Sequence, residues 1–285
     1  MEILGDKLMT SITPADIHAY VAKRKNKDKL ANRSINLELN ALRCLFRYAE
    51  ELGYAGSNPA KKVKNLRETL KVEHWIPTPE DLMRFVDEAA KTYSGHVLVM
   101  WIWLMAYTGM RPREALFLEW QDIDFKRNQI LIRPKPGNPL KSGCARYVEI
   151  HPELTSKLLV WRKEWNETFV RRAKRHPDEP APPHNWVFYN PHGQRARAHS
   201  FLRGFHIARD KAGLPQMTPY TLRHFFISYC VMKSIPMLTI ARWVGHTSSR
   251  MIEQVYGHLT PGYRAEQMSR FSIEPTPLVA SPASA

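Results

Sequence analysis

The stretch VLVMWIWLMAY, residues 97–107, is apolar on every side of a helix. Such a segment has no face to offer water, so it must be walled in by other elements or by lipid. Its length argues against lipid: the run is well short of the roughly 20 residues that cross a bilayer, and the N-terminus has no signal-peptide pattern. The run therefore predicts a buried helix, which the rest of the 285-residue chain has to cover. With 44% hydrophobic residues, the chain has enough apolar side chain for one large or two ordinary domains.

The covering elements read mostly as helices. SITPADIHAYVAKRK offers Thr13 as N-cap, Pro14 at the first helical position and Asp16 three residues after the cap, ahead of Ile17, Tyr20 and Val21 at helical spacing. In NRSINLELNALRCLFRYAEELGY, Ile35, Leu39, Leu42, Phe46 and Ala49 recur every three or four residues, and Gly53 supplies the stop. TPEDLMRFVDEAA repeats the start signal, with Thr78, Pro79 and Asp81 before Leu82, Phe85, Val86 and Ala89. Further on, Leu154, Leu158, Trp161, Trp165 and Phe169 share one helical face, and helical patterns return over residues 199–271. Between these, a short helix over PREALFLEW leads to NQILIRP (128–134) and ARYVEIH (145–151), which alternate like strands. They predict a small hairpin with Lys141 and Ser142 near its second strand, and WVFYN (186–190) predicts a short strand. No internal repeat is present.

The basic stretch 58–77 lacks periodicity and reads as a linker holding the domain boundary, while KRKNKDK (23–29) reads as a solvated loop. EPTPLVASPASA, at the end, has the composition of disordered chain. Cys44, Cys144 and Cys230 are odd in number and in no metal spacing, which argues against a disulfide framework or a zinc site and favours a reducing compartment. Charge narrows the partner. The chain carries 42 Lys+Arg against 27 Asp+Glu, a net +15, and residues 1–77 already hold 14 basic and 9 acidic residues. An excess spread over both halves implies a polyanion, and without a basic amphipathic anchor that polyanion is nucleic acid rather than membrane.

Three stretches put cations where phosphate chemistry needs them: TGMRPREALFLEW (108–120), PLKSGCARYVEI (139–150) and MTPYTLRHFF (217–226). Singly, each has an ordinary explanation: Gly109 as a helix C-cap, Lys141 as a solvated hairpin lysine, Arg223 as one half of an ion pair. Followed by WVGHTSSRMIEQVYGHLTP (243–261), their order resembles the catalytic domain of the tyrosine recombinase (phage integrase) family, whose signature is Arg, Lys, His-x-x-Arg, His or Trp, and a tyrosine nucleophile. The resemblance implies a mainly α fold with a small β-hairpin or sheet: a helical core-binding domain at 1–67, a linker at 68–77, a catalytic domain at 78–272 and a disordered tail at 273–285. The front, MEILGDKLMTSITPADI, resembles the end of a first core-binding helix, which implies that the preceding helix and any arm-binding domain are missing.

Carried over residue by residue, the resemblance makes Arg111 and Arg223 the two arginines, Lys141 the hairpin lysine, His246 the late histidine and Tyr256 the nucleophile. Glu114 and His224 become supporting residues. The chemistry suits these types. Guanidinium forks can meet two non-bridging oxygens of an attacked phosphodiester at once. A phenol, with an ordinary pKa of about 10, needs a base or a cationic neighbourhood to become nucleophilic. The resemblance further implies that Lys141 protonates the departing 5′-oxygen, and His246 can donate to the same phosphate. The resemblance implies a 3′-phosphotyrosyl link as the intermediate, formed with no ATP, metal or other cofactor.

One position departs from the pattern: Tyr220 stands where the family usually has histidine. Three readings follow, namely a tolerated variant, a slower enzyme, or a protein that binds DNA without cutting it. The expected function is thus a site-specific DNA recombinase. A non-catalytic DNA-binding regulator of the same fold and a type IB topoisomerase are the alternatives. The implied partners are a double-stranded recombination site, further copies of the chain in a tetramer, docked through Tyr263, Met268 and Phe271, and an accessory DNA-bending protein. The implied setting is the cytoplasm, at the nucleoid, of a bacterium or a phage host.

Overall fold

A computed structural model of the chain describes residues 4–5, 7–68, 75–93, 95–141, 143–175, 186–189, 194–246 and 248–256. The predictions for Ser142, the docking segment with Tyr263, Met268 and Phe271, and the tail at 273–285 lie outside them. The chain divides into two compact units, Met1–Val72 and Glu73–Ala285.

In the first unit, α1 (Pro14–Asn26) starts on a reciprocal cap: the Asp16 N–H donates to the Thr13 hydroxyl oxygen at 3.3 Å, and the Thr13 N–H to the Asp16 carboxylate at 2.9 Å. Ile17 and Val21 are buried, while Tyr20 is half-buried and donates its hydroxyl to Glu38 at 3.0 Å. Half of the expected loop KRKNKDK is helix, since α1 continues through Asn26. Cations in a last turn are favoured by the exposed carbonyl ends, which lets the lysines extend the helix rather than end it. On α2 (Asn32–Glu51), Ile35, Leu39, Phe46 and Ala49 are buried, and Gly53 ends the helix at φ 75°. The expected linker at 58–77 begins inside this unit. Pro59, Ala60 and Val63 join its core, and the Asn36 side chain clasps Leu66, donating to its carbonyl at 2.9 Å and accepting from its N–H at 2.8 Å. These small apolar residues carry no period but fill space, which a search for periodicity cannot register.

In the second unit, α3 (Pro79–Ala90) starts on the same reciprocal cap at Thr78 and Asp81, and buries Leu82, Phe85, Val86 and Ala89. The apolar run forms α4 (Gly95–Thr108), packed by α3 and by α6 (Pro152–Arg175), α7 (Ala198–Lys211) and α8 (Pro219–Met232). The expected helix over PREALFLEW is short: α5 (Pro112–Leu116) gives way to a tight turn at Trp120–Asp122. The expected hairpin gains a strand, making an antiparallel sheet β1 (Ile123–Asp124), β2 (Gln129–Ile132) and β3 (Arg146–Glu149), with Ile130 opposite Val148 and Ile132 opposite Arg146. Among the described residues of WVFYN, 186–189, no strand forms; Trp186 and Tyr189 make isolated bridges to Glu119 and Arg195. Val187 and Phe188 are both fully buried and bond to different segments, at Leu118 and Ala196, so no single ladder can grow. On α6, Leu154, Leu158 and Trp161 are buried and Trp165 half-buried, and the Phe169 side chain lies outside the described residues. A small separate core of Ile227, Ile240, Val244, Ile252 and Tyr256 holds α9 (Met237–Val244) and α10 (Arg250–Tyr256) against α8.

All eight tryptophans of the chain lie after residue 73, so their fluorescence reports on the second unit alone. Thr78→Ala removes one oxygen that satisfies a first-turn N–H, and is expected to lower the urea stability of this unit by about 1 kcal/mol. A midpoint unchanged in tryptophan fluorescence would show that the cap carries no stability there.

Candidate active site

The site is built around one buried carboxylate. Glu114, on α5, accepts from the Arg111 backbone N–H at 2.8 Å and from the Arg111 guanidinium at 2.9 Å. It also accepts two bonds from the Arg146 guanidinium, at 3.2 and 2.6 Å. Burial alone pushes this carboxyl pKa up, but the Arg146 bond and charge, with Arg111, outweigh it and hold the group below the usual carboxylate range. Arg146 completes its fork by donating Nε to the Trp243 carbonyl at 2.8 Å. The residue one past α9, Gly245, leaves room for that fork at φ 68°; a Cβ there would sit 3.0 Å from the guanidinium.

Arg223, on α8, is 6% exposed and spends its donors inward: Nη1 on the Gly109 carbonyl at 2.7 Å, Nη2 on the Val244 carbonyl at 2.7 Å and on His246 Nε2 at 3.0 Å. Gly109 follows α4 at φ 61°, and a Cβ on it would collide with Phe226 at 2.4 Å. The phrase TGMR thus needs its glycine twice over, for a left-handed turn and for close packing. Desolvation, then the nearby Arg111 charge, lowers the Arg223 pKa to about 10, which still leaves it a cation at neutral pH. A guanidinium has no acceptor, so His246 Nε2 accepts from it and the imidazole proton sits on Nδ1. Nδ1 is buried with no partner among the described residues. Here the expected phosphate donor is occupied as an acceptor.

Burial and then the Arg223 and Arg111 charges depress the His246 pKa from 6.5 to about 4. An unfolded chain takes up this proton first, so stability is complete above pH 6.5 and falls as pH drops towards about 4. His246→Gln is expected to lose less urea stability than wild type between those pH values; equal losses would rule out this group as their source.

Tyr256, at the end of α10, is 3% exposed, and its hydroxyl bonds His224 Nδ1 on α8. Burial raises the phenol pKa above its ordinary 10, with Arg223 pulling the other way and losing. The sequence reading expected the cations to favour phenolate. In the closed site they do not, because a phenol sealed among Ile227, Val244 and Ile252 loses more hydration than one nearby cation returns.

The fold therefore gathers two hydrogen-bonded groups whose charges act on one another, Arg111 with Glu114 and Arg146, and Arg223 with His246, and pairs Tyr256 with His224 beside them. Lys141 is exposed in the turn before β3, and no hydrogen bond or ion pair among the described residues ties it to either group. Tyr220 is 56% exposed on the first turn of α8 and is likewise untied. Arg146 was missed in the sequence, although a signal was present: it shares the inward parity of Val148 and Ile150, so the strand aims an arginine at the core. Among the described residues, no three His, Cys, Asp or Glu side chains gather as a metal site needs, and no helix is long and apolar enough to cross a membrane.

The family model of the phage integrase family matches residues 78–262. The XerC tyrosine recombinase of Pediococcus pentosaceus is 27% identical, across 90% of this chain and 81% of its own. The XerC-like tyrosine recombinase of Caldanaerobacter subterraneus is 25% identical, across 91% of this chain and 70% of its own. Among solved structures, a Tn1549 transposon integrase in complex with a circular intermediate DNA matches in fold, with a TM-score of 0.69 and 18% identity over 92% of this chain and 86% of that one.

Proposed function

The chain belongs to the phage integrase family, and on that footing we propose that it is a site-specific DNA recombinase in which Tyr256 cleaves and rejoins DNA strands. The observation that carries this assignment is the pairing of the Tyr256 hydroxyl with His224 Nδ1 beside the Arg223 guanidinium. His224 accepts the phenol proton as the oxygen attacks phosphorus. Arg111 and Arg223 meet the charge that builds on the non-bridging oxygens; a preorganised donor of this kind is worth about 3 kcal/mol in the transition state. Glu114, itself fixed by Arg146, holds Arg111 in place, and His246 holds Arg223. Lys141, exposed before β3, protonates the leaving 5′-oxygen once DNA is bound. The products are a 3′-phosphotyrosine and a 5′-hydroxyl, and attack by a partner strand's hydroxyl reverses each proton transfer without loss of bond energy.

The first unit is the core-binding module in this reading, and the second the catalytic one. Exchanging both strands of two duplexes needs a nucleophile for each cut strand, and one chain carries one, so a tetramer on DNA is the smallest complete assembly. An accessory DNA-bending protein fits the same scheme. Incubation with a nicked duplex carrying the attachment site tests the reading: an SDS-resistant adduct supports it, whereas a sequence-specific shift with no adduct replaces it with a non-catalytic regulator.

A further inference from the structure

The second unit holds another gathering of cations, apart from the cluster at Glu114. A cavity of about 990 Å³ is lined by Arg113, Lys135, Arg195 and Arg197, with Tyr220 in its wall and Glu119 as its one carboxylate. That carboxylate is already taken. Lys135 lies 3.3 Å from it and Arg133 3.5 Å, and Lys135 is further neutralised by Asp122. The three arginines have no acidic partner among the described residues. Arg113 donates to the Gly137 carbonyl, and Arg195 to the Ala196 carbonyl at 3.3 Å. Both guanidiniums are drawn to one ring: Arg195 Cζ lies 3.8 Å from the Phe117 centroid and Arg113 Cζ 5.7 Å. Desolvation, with the Arg113 and Arg197 charges, holds the Arg195 pKa below the usual guanidinium value.

Among the described residues, folding has brought three like charges together without a counter-charge, and a bound anion relieves that repulsion. Guanidinium forks fit phosphate oxygens, and several of them in one cleft suit a polymer of phosphates better than a single ion. The position says which polymer. Pro112 and Arg113, next to Arg111, and Pro219 and Tyr220, on the turn of α8 before Arg223, all line the cavity, so it adjoins the elements that carry those two arginines.

We propose that Arg113, Arg195 and Arg197 form a second phosphate clamp, gripping the DNA backbone beside the phosphodiester held by Arg111 and Arg223. This rests on the DNA-cleaving reading above. The test is the affinity of the full chain for a short fluorescein-labelled duplex at several salt concentrations, since each phosphate contact adds about 0.9 to the slope of log affinity against log salt. Changing all three arginines to glutamine is expected to reduce that slope by about 2 to 3, and changing all three to lysine to keep most of it. Should the glutamine triple fail to fold by circular dichroism, R195Q and R197Q singly are each expected to remove about 0.9. Duplex binding with an unaltered slope in folded glutamine variants overturns the clamp and leaves the recombinase reading standing. No duplex binding by wild type overturns both. Saturable uptake of inorganic phosphate at these arginines, with an unaltered DNA slope, overturns the clamp in favour of a small-anion site.

Discussion

Tyr256→Phe is expected to abolish the covalent DNA adduct, a loss of at least about a thousandfold in adduct yield, while the chain stays folded. The reason for so large a split is that one oxygen serves two very different purposes. For stability it makes a hydrogen bond to His224, worth about 1 kcal/mol net, and the ring stays packed among Ile227, Val244 and Ile252. For chemistry it is the only atom of the side chain that can bond phosphorus, and nothing else in the pair replaces it. At 3% exposure the residue is also closed to any phosphate approaching from outside, so the proposed attack requires α10 to shift. In the proposed reaction that shift also returns hydration to the phenol, which removes the cause of its raised pKa. Tyr220→Phe supplies the control, because Tyr220 is already 56% exposed and is not tied to the Glu114 cluster. Mass spectrometry of the adduct should place the nucleotide on Tyr256. An adduct that survives Tyr256→Phe and vanishes with Tyr220→Phe would exchange the roles of the two residues.

The second large effect is on stability. Glu114→Ala strips the carboxylate from between two guanidiniums whose side chains are only 19% and 9% exposed, Arg111 and Arg146. Breaking a buried pair by removing one partner costs about 3–5 kcal/mol, since the other charge is left without compensation. Urea unfolding followed by tryptophan fluorescence should register that loss in the second unit. Glu114→Gln keeps an acceptor and the side-chain shape, and is expected to lose less. Arg111 loses its carboxylate partner in both variants, so adduct formation should fall even under conditions where the unit stays folded. The sign with pH follows from the depressed carboxyl pKa. The unfolded carboxyl takes its proton first, so the stabilisation is complete above the ordinary 4.5 and is lost as pH falls through the lower folded value. That window lies below most of the one in which His246 titrates, so the two acid losses are separable. An alanine variant as stable as wild type would mean that water, not protein, pairs these arginines.

Much of the local structure was legible in the chain. Thr13 and Thr78 declare their helices because a hydroxyl and a carboxylate three residues apart satisfy each other's backbone whatever the tertiary fold. The buried run at 97–107 declares its place because no solvated helix can be apolar on every side. Residues whose effect is on volume rather than on period were not legible: Pro59, Ala60 and Val63 in the expected linker, and Val187 and Phe188 in the expected strand.

The order of Arg111, Lys141, Arg223, His246 and Tyr256 identified the family and named the chemical groups, because side-chain identity is written one residue at a time. The bonds that fix their states join residues far apart in the chain: Arg146 with Glu114, Arg223 with the carbonyls of Gly109 and Val244, and His224 with Tyr256. Burial is likewise a property of the assembled fold. It makes His246 an acceptor with a pKa of about 4 and keeps Tyr256 a protonated phenol, where the sequence had suggested a phosphate donor and a ready nucleophile. Charge can be counted along a chain, but the hydration each charge keeps depends on what folds over it.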